Sequence, residues 1–181
     1  MDKKNSIWFK ILVPVLIIAI IGGMWVWKNT SENPTDGTSE LPGVSVPDNL
    51  NGVDFSLNAT EAIDFKALSQ YGLPIIVDYG ADSCIPCKQM APVLKALNAE
   101  MQGKAFIKFV DVWKYYEAAS NVPIQLIPSQ VFYNADGTQY KPSKEITSQI
   151  SGFKIYDGVT IHEGGLIEEQ MREILKEMGV E

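Results

Sequence analysis

Residues 77–94 read VDYGADSCIPCKQMAPVL, and this stretch decides the fold because it joins an apolar strand to a helix at a pair of cysteines. The apolar run 75–77 is short and uninterrupted, which is typical of a strand in the middle of a sheet. After Cys84, apolar residues recur every three or four positions, as on one face of a helix. The pattern therefore predicts a strand over 75–77 and a helix from Cys84 to about residue 101.

Cys84 and Cys87 are the only two cysteines of the 181-residue chain. At the start of a helix, the helix dipole and the unpaired backbone N–H groups favour a thiolate, so the pKa of the first thiol falls. Such a thiolate attacks a disulfide in another molecule, and the second thiol then resolves the mixed disulfide. The pair therefore predicts a site of thiol–disulfide exchange.

Three other interpretations of the cysteine pair remain open at this point. In the first interpretation, the pair forms half of a zinc site, for which His162 is the only histidine ligand that the chain offers. In the second interpretation, the pair forms a copper site with His162, although a histidine exposed in a loop is the simpler interpretation of that residue. Finally, it forms a purely structural disulfide, although so short a loop contributes little stability.

Elsewhere in the chain, predicted helices alternate with predicted strands. The expected elements are a helix over 60–71, strands over 106–110, 131–133 and 146–151, a turn at 134–137, and a last helix over 166–178. Alternation of this kind predicts an α/β sandwich built around one mixed sheet. The folded domain is expected to cover 53–181.

Composition excludes several classes of protein. The chain is 46% apolar and 20% charged, which fits a globular protein and excludes wholesale disorder. A net charge of −7 argues against general nucleic-acid binding, which needs a basic surface. Two cysteines exclude a four-cysteine zinc site, and a single histidine excludes a multi-histidine metal centre.

The N-terminal segment differs from the rest of the chain. Residues 11–27 form a run of 17 residues without charge, with tryptophans near both ends, which predicts a transmembrane helix. A cleaved signal peptide or a buried core helix is the alternative. Residues 1–28 carry a net charge of +3 and the remainder carries −10. Because lysines precede the run, we expect 1–10 in the cytoplasm, 28–52 as a flexible linker and the domain outside the cell membrane.

The segment 77–94, with Lys88, Met90 and Pro92 after the cysteines and Ile127-Pro128 downstream, resembles the active-site region of thioredoxins. The resemblance covers about residues 58–180. It implies a thioredoxin-like three-layer sandwich, in which helices flank a central mixed sheet, and a kink of the active-site helix at Pro92.

The resemblance also implies roles at the site. Cys84 is the exposed attacking cysteine, and Cys87 is the buried resolving one. Asp78 is the buried acid that assists proton transfer at the resolving thiol, and burial in an apolar strand is expected to raise its pKa. Lys108 is the lysine that faces this acid, and Pro128 is the cis-proline beside the disulfide.

Substrate contacts follow from the same resemblance. Ile127 presents its backbone to the substrate chain, and Gly152 lies near the rim of the site. Ser83 stands where the family usually has tryptophan, and Ile85-Pro86 stands where it usually has Gly-Pro. The changes at Ser83 and Ile85 alter the surface that meets the substrate, to which Pro86 also belongs.

Two further departures concern the surroundings of the cysteines. Gly80 occupies a position where the family usually has an aromatic residue. The segment 153–165 is longer than the usual connection and holds Phe153, Tyr156 and His162. A plain surface insertion is the simpler interpretation of this segment, and partner recognition is the alternative.

The resulting hypothesis is a membrane-anchored protein-disulfide reductase. Pro86 precedes the resolving cysteine as in thioredoxin, and the histidine of strong oxidants is absent from that place. The expected partners are disulfide-containing exported proteins and a membrane thiol electron donor of the cytochrome-c-biogenesis type. No cofactor is expected besides the redox-active cysteines. An oxidase or isomerase, or a client- or metal-binding module without turnover, is the alternative.

Overall fold

The structure is a computed structural model and describes residues 50–180. The predicted transmembrane helix over 11–27 and nearly all of the predicted linker lie outside the described residues. Within 50–180, no helix combines the length and the apolar character that crossing a membrane requires.

A six-stranded mixed sheet forms the centre of the described domain. In chain order its strands are β1 (Asn58–Ala59), β2 (Ile75–Gly80), β3 (Phe106–Asp111), β4 (Ser129–Tyr133), β5 (Phe153–Tyr156) and β6 (Val159–Glu163). Across the sheet the order is β1-β3-β2-β4-β6-β5. The pairs that join β1, β3 and β2 are parallel, and the pairs that join β2 to β4, β4 to β6 and β6 to β5 are antiparallel.

Helices cover both faces of this sheet, which confirms the predicted layered α/β architecture. They are α1 (Phe65–Ser69), α2 (Ile85–Glu100), α3 (Lys144–Gln149), α4 (Glu168–Glu177) and a short 3-10 helix (Tyr116–Ala119). Apolar residues of α2, α3 and α4 share one core cluster with one face of the sheet. Residues of α1 and the 3-10 helix pack in a second cluster on the opposite face, together with the buried Leu50.

Strand β2 lies in the middle of the sheet, and all six of its residues are buried. Successive side chains of a strand point to opposite faces. Ile76 accordingly packs in the cluster that contains α2, while Ile75, Val77 and Tyr79 pack in the opposite cluster. Asp78 shares the face of Ile76, so its carboxyl group is directed toward the helix that carries the cysteines.

Two predicted elements are wrong in type or extent. The expected strand over 146–151 is instead the helix α3, because the Ser143 hydroxyl accepts a hydrogen bond from the Ile146 N–H at 3.2 Å and caps a helix there. The expected helix over 60–71 is shortened to α1, because the carboxylate of Asp64 caps it by accepting from the Ala67 N–H at 2.9 Å.

The segment 153–165 is not a surface insertion. It forms the hairpin of β5 and β6, and β6 pairs with β4, so the hairpin completes one side of the sheet. The hairpin is difficult to predict because the segment lacks a regular alternation of buried and exposed residues. Lys154 and Ile155 are both exposed on the edge strand β5, while Thr160 and Ile161 are both buried on β6.

Candidate active site

Cys84 and Cys87 form a disulfide at the first turn of α2, with their Cα atoms 5.3 Å apart. Cys84 is the N-cap residue of the helix, and its Sγ accepts a hydrogen bond from the Cys87 N–H at 3.3 Å. In the reduced protein the same N–H and the helix dipole favour a thiolate on Cys84. The local geometry thus supports Cys84 as the nucleophile.

Cys84 and Cys87 are less exposed to solvent than the sequence analysis predicted. Cys84 is 8% exposed and Cys87 is 4% exposed, because both pack against Ala81 and Ile127. The expectation of an exposed Cys84 is therefore wrong in this disulfide state, although Cys84 remains the more accessible of the two.

The surface around the disulfide is formed by the residues that the sequence singled out for substrate contact. Ser83, Ile85 and Pro86 are exposed, and Ile85 presents 71% of its surface. Pro86 lies in the first turn of α2, where the absence of an N–H costs no helical hydrogen bond. These three exposed residues are thus small, apolar or rigid.

The peptide bond between Ile127 and Pro128 is cis, as the resemblance implies. Ile127 packs against the cluster of the two cysteines, so this turn lies beside the disulfide. The carbonyl of Pro128 accepts a hydrogen bond from the Gly164 N–H at 2.9 Å, which ties the turn to the end of β6. The backbone of Ile127 is therefore held next to the reactive sulfur atoms.

Asp78 is completely buried on the face of β2 that is directed toward α2. Its Oδ1 accepts a hydrogen bond from the Gln130 amide at 2.6 Å, while its Oδ2 has no hydrogen-bond partner among the described residues. Burial raises the pKa of Asp78 to about 7, against the smaller opposing effect of the Gln130 hydrogen bond. Asp78 is thus suited to gain and lose a proton near neutral pH.

Gly80 provides the space between this carboxyl group and the resolving cysteine. A Cβ on Gly80 would lie 3.3 Å from Asp78 Oδ2, 3.2 Å from Cys87 Sγ and 2.9 Å from a ring carbon of Phe109. The carboxyl oxygen and the sulfur therefore border the same small gap. A glycine in place of the usual aromatic residue leaves that gap open.

Lys108 does not face Asp78, and this prediction is wrong. In the parallel pairing of β2 with β3, Lys108 lies opposite Val77 and Phe109 lies opposite Asp78. Lys108 therefore points to the other face of the sheet, where its ammonium group donates to the Asp54 backbone carbonyl at 2.9 Å and to the Asp54 carboxylate at 3.1 Å.

Asp111, at the end of β3, is a site residue that the sequence analysis missed. Its buried carboxylate accepts hydrogen bonds from the backbone N–H groups of Asp82, Trp113 and Lys114, each at 3.0 Å. These bonds join the turn before Cys84 to the loop that carries the exposed Trp113. The signal in the sequence is an acidic residue that directly ends an apolar strand.

His162 is buried on β6, so the interpretation of this residue as exposed in a loop is wrong. Its Nδ1 lies 2.7 Å from the Gln130 amide oxygen, and its Nε2 lies 2.9 Å from the Ser151 carbonyl oxygen. Both ring nitrogens thus face oxygen atoms at hydrogen-bond distance. Between residues 50 and 180, no group of three or more His, Cys, Asp or Glu side chains is placed to hold a metal ion.

Gln130 is the second residue that the sequence analysis missed. It is completely buried, and its amide contacts both Asp78 and His162. The signal is a long polar side chain two positions after Pro128, directly before the apolar residues Val131 and Phe132.

The position of Gly152 at the rim of the site and the kink of the active-site helix at Pro92 stay predictions. Gly152 has a φ of 103°, and a Cβ there would lie 2.7 Å from the Glu163 carbonyl oxygen and 3.0 Å from His162 Nε2. Glycine is therefore required for close packing against β6. Pro92 lies inside α2, which continues past it to Glu100.

The chain is similar to several known proteins. The family model described as thioredoxin matches residues 58–152. Thioredoxin 1 of Chlorobaculum tepidum is 31% identical over 77 residues, which cover 42% of this chain and 76% of that protein. Thioredoxin C-2 of Corynebacterium nephridii is 40% identical over 60 residues, which cover 33% and 56% of the two chains. The X-ray structure of Fasciola hepatica thioredoxin is 26% identical with a TM-score of 0.49, covering 68% of this chain and 99% of that one.

Proposed function

The chain belongs to the thioredoxin family of thiol–disulfide oxidoreductases, and from this premise we propose that it reduces disulfides of exported proteins while anchored in the cell membrane. The observation that carries the proposal is the Cys84–Cys87 pair at the start of α2, with Asp78 and Cys87 bordering the gap at Gly80.

The reaction proceeds in two exchange steps. The Cys84 thiolate attacks one sulfur of the substrate disulfide, so that a mixed disulfide forms and the other substrate sulfur leaves as a thiolate. Cys87 then gives its proton to the Asp78 carboxylate, and the Cys87 thiolate attacks Cys84 Sγ. The mixed disulfide breaks, the second substrate sulfur leaves, and the Cys84–Cys87 disulfide forms. Two electrons have moved from the protein dithiol to the substrate.

The direction of electron flow rests on the residues between the cysteines. Pro86 precedes the resolving cysteine, and no histidine is present there to stabilise the thiolate further. One observation favours the opposite direction: in the disulfide, the Cys87 N–H is already directed at Cys84 Sγ. The same N–H donates more strongly to a Cys84 thiolate, which stabilises the reduced form. A stabilised reduced form makes a disulfide a stronger oxidant. A disulfide oxidase is therefore the second candidate.

A reductant outside the cytoplasm needs its own supply of electrons. In the proposed arrangement, residues 11–27 span the membrane and 28–52 tether the domain on the outer side. A membrane protein of the cytochrome-c-biogenesis type then reduces the Cys84–Cys87 disulfide with a dithiol of its own, which restores the reactive pair after each cycle.

Exposed apolar side chains near the site support a polypeptide substrate. Ile85 is 71% exposed, Trp113 is 64% exposed, and Leu126, which directly precedes the cis-proline turn, is 46% exposed. Large exposed apolar groups near a reactive site are typical of a surface that contacts another molecule. An unfolded client with an accessible disulfide fits this surface.

The reduction potential of the full chain, purified in detergent and equilibrated against a series of thiol buffers, tests the direction. A potential near that of thioredoxin, about −270 mV, is expected for a reductant. A potential near about −120 mV overturns the proposed direction and selects the oxidase.

Trapping tests the exchange mechanism independently of its direction. The Cys87→Ser variant is expected to accumulate a mixed disulfide with exported proteins, because the second step is blocked. Cys84→Ser is the matched control and is expected to accumulate none. Equal trapping by both variants contradicts the assignment of Cys84 as the nucleophile.

A further inference from the structure

A row of buried polar side chains runs across three neighbouring strands, away from the cysteine pair. Asp78 on β2 lies opposite Gln130 on β4, which in turn lies opposite His162 on β6. Gln130 contacts Asp78 Oδ1 at 2.6 Å and His162 Nδ1 at 2.7 Å, and His162 Nε2 contacts the Ser151 carbonyl at 2.9 Å. The three side chains are at most 3% exposed. We call these three side chains and the Ser151 carbonyl the polar row.

The chemistry of the groups restricts how protons are arranged in the polar row. An ionised carboxylate only accepts hydrogen bonds, so the NH2 group of Gln130 must face Asp78 when Asp78 is charged. The amide oxygen of Gln130 then faces His162 and needs a donor there, which is the N–H on Nδ1. The Ser151 carbonyl at Nε2 also only accepts, so both ring nitrogens carry a proton in this arrangement and His162 is an imidazolium. If the amide turns over, its oxygen faces Asp78, and only a protonated Asp78 satisfies it. The protonation of the imidazole thus controls whether the NH2 group or the oxygen of the Gln130 amide faces Asp78.

We propose that Gln130 and His162 are positioning residues for the proton step at Cys87. His162 holds the Gln130 amide with its NH2 group toward Asp78 Oδ1, which supports the charged carboxylate and leaves Oδ2 free to take the proton of Cys87. This inference rests on the thiol–disulfide exchange proposed above. It assigns to the exchange reaction two further residues that act through Asp78: Gln130 on β4 and His162 on the hairpin of β5 and β6.

The groups around the polar row are consistent with this role. Asp78 borders the gap at Gly80 together with Cys87 Sγ of α2, and it contacts Gln130 of β4. The neighbouring strand β3 presents Phe109 on this face and Lys108 on the opposite one. The Gln130 amide also contacts the sulfur of Met90 on α2 at 3.4 Å. Asp78 therefore has no lysine opposite it in β3, which leaves the Gln130 hydrogen bond as its support from the sheet.

Around His162, the ring of Phe153 packs edge-on at 5.2 Å between centroids, and the Glu163 carboxylate follows on the same strand. Burial lowers the pKa of His162, while hydrogen bonding to the Ser151 carbonyl and the charge of Glu163 oppose this. An imidazolium, with a proton on each ring nitrogen, is required for the arrangement that supports the charged Asp78. A neutral ring that donates from Nε2 to the Ser151 carbonyl accepts from the Gln130 NH2 group at Nδ1, which turns the amide oxygen toward a protonated Asp78.

The test follows the ionisation of Asp78 itself in the full chain, oxidised and purified in detergent. Aspartate labelled with 13C in its carboxyl group gives a carbon resonance that moves on ionisation, and Asp78→Asn identifies the resonance of Asp78. Gln130→Leu removes a hydrogen bond to the charged form, so the midpoint is expected to rise by about one pH unit or more. His162→Leu is expected to raise it too, although His162 does not contact Asp78.

Two further variants distinguish positioning from a general loss of structure. His162→Asn keeps a nitrogen donor near the place of Nδ1 and is expected to retain the natural midpoint. Ile161→Ala removes a buried neighbour of His162 that packs in the opposite core cluster, so it lowers stability without moving the midpoint. The double variant of Gln130 and His162 is expected to shift no further than Gln130→Leu alone, because the two residues act in series.

Several results overturn the inference. These are an unchanged midpoint in Gln130→Leu or His162→Leu, shifts that add in the double variant, a shift in His162→Asn as large as in His162→Leu, or a shift in Ile161→Ala. The titration needs no turnover, so it separates this inference from the proposed function. If the protein shows the expected shifts but no exchange activity, the role of the polar row is supported and the proposed function is refuted.

Discussion

Asp78→Asn is expected to stabilise the oxidised protein above neutral pH. Asp78 is completely buried, and asparagine keeps its shape and the oxygen that accepts from Gln130 while removing the charge. Burial of a charged carboxylate away from water is unfavourable, so the natural chain loses stability when Asp78 ionises in the folded state.

The size of the effect follows from the pKa. Burial raises the pKa of Asp78 from 3.8 to about 7. One pKa unit corresponds to about 1.4 kcal/mol, so ionisation in the folded state costs about 4 kcal/mol of unfolding free energy. Because the folded state binds the proton more tightly than the unfolded state, the cost is absent below the unfolded pKa. It grows as the pH rises and is complete above the folded pKa.

Guanidinium unfolding of the full oxidised chain and the variant, between about pH 4 and pH 8.5, measures the difference. We expect the advantage of Asp78→Asn to grow by about 4 kcal/mol across this range. Asp111→Asn is the matched control with the opposite sign. Burial opposes the ionisation of Asp111, but hydrogen bonds from backbone N–H groups of Asp82, Lys114 and Trp113 outweigh it and lower its pKa. That variant is therefore expected to be less stable than the natural chain by a nearly constant amount across this range, and to approach it only below about pH 4, where the Asp111 carboxylate becomes protonated. A pH-independent difference for Asp78→Asn refutes the reasoning.

Three more variants test the geometry of the site. In Gly80→Ala, the added methyl group separates the Asp78 carboxyl from the Cys87 thiol, so resolution of the mixed disulfide is expected to slow by about 10²-fold in stopped-flow measurements; an unchanged rate contradicts a direct proton transfer. Trp113→Ala removes exposed apolar surface, so we expect a higher KM for a protein disulfide and unchanged kinetics with a small aromatic disulfide; equal effects on both substrates argue against a client-binding role. Lys108→Met is expected to leave the ionisation midpoint of Asp78 in place, since the ammonium group lies on the other face of the sheet; a clear shift would restore the predicted pairing.

Local sequence pattern predicted much of the described domain. The strand that ends before the cysteines, the helix that follows them and the last helix are confirmed within a few residues as β2, α2 and α4. Each has a clear apolar periodicity together with a capping or glycine signal. The errors fall where periodicity is ambiguous: in the short segment of α3, whose helix depends on a serine cap, and in the hairpin of β5 and β6, half of which is an exposed edge.

The candidate site was only partly predictable for a different reason. Cys84, Cys87 and the cis-proline turn are recognised from their own neighbours in the chain, and the structure places Ile127 against the cysteines. Lys108 was placed wrongly, because its position relative to Asp78 depends on how two separate strands align. A shift of one residue in that alignment moves a side chain to the other face of the sheet.

The sequence by itself determined the reactive pair, its place at the start of a helix and the layered α/β architecture, because these depend on residues within one or two turns of each other. Only the tertiary structure decided what surrounds the pair. Gln130 meets Asp78 across 52 positions of the chain, and His162 meets Gln130 across 32. Such contacts depend on the order and register of β2, β4 and β6, which tertiary packing selects and no local periodicity encodes. The polar row therefore becomes visible only when the sheet is assembled.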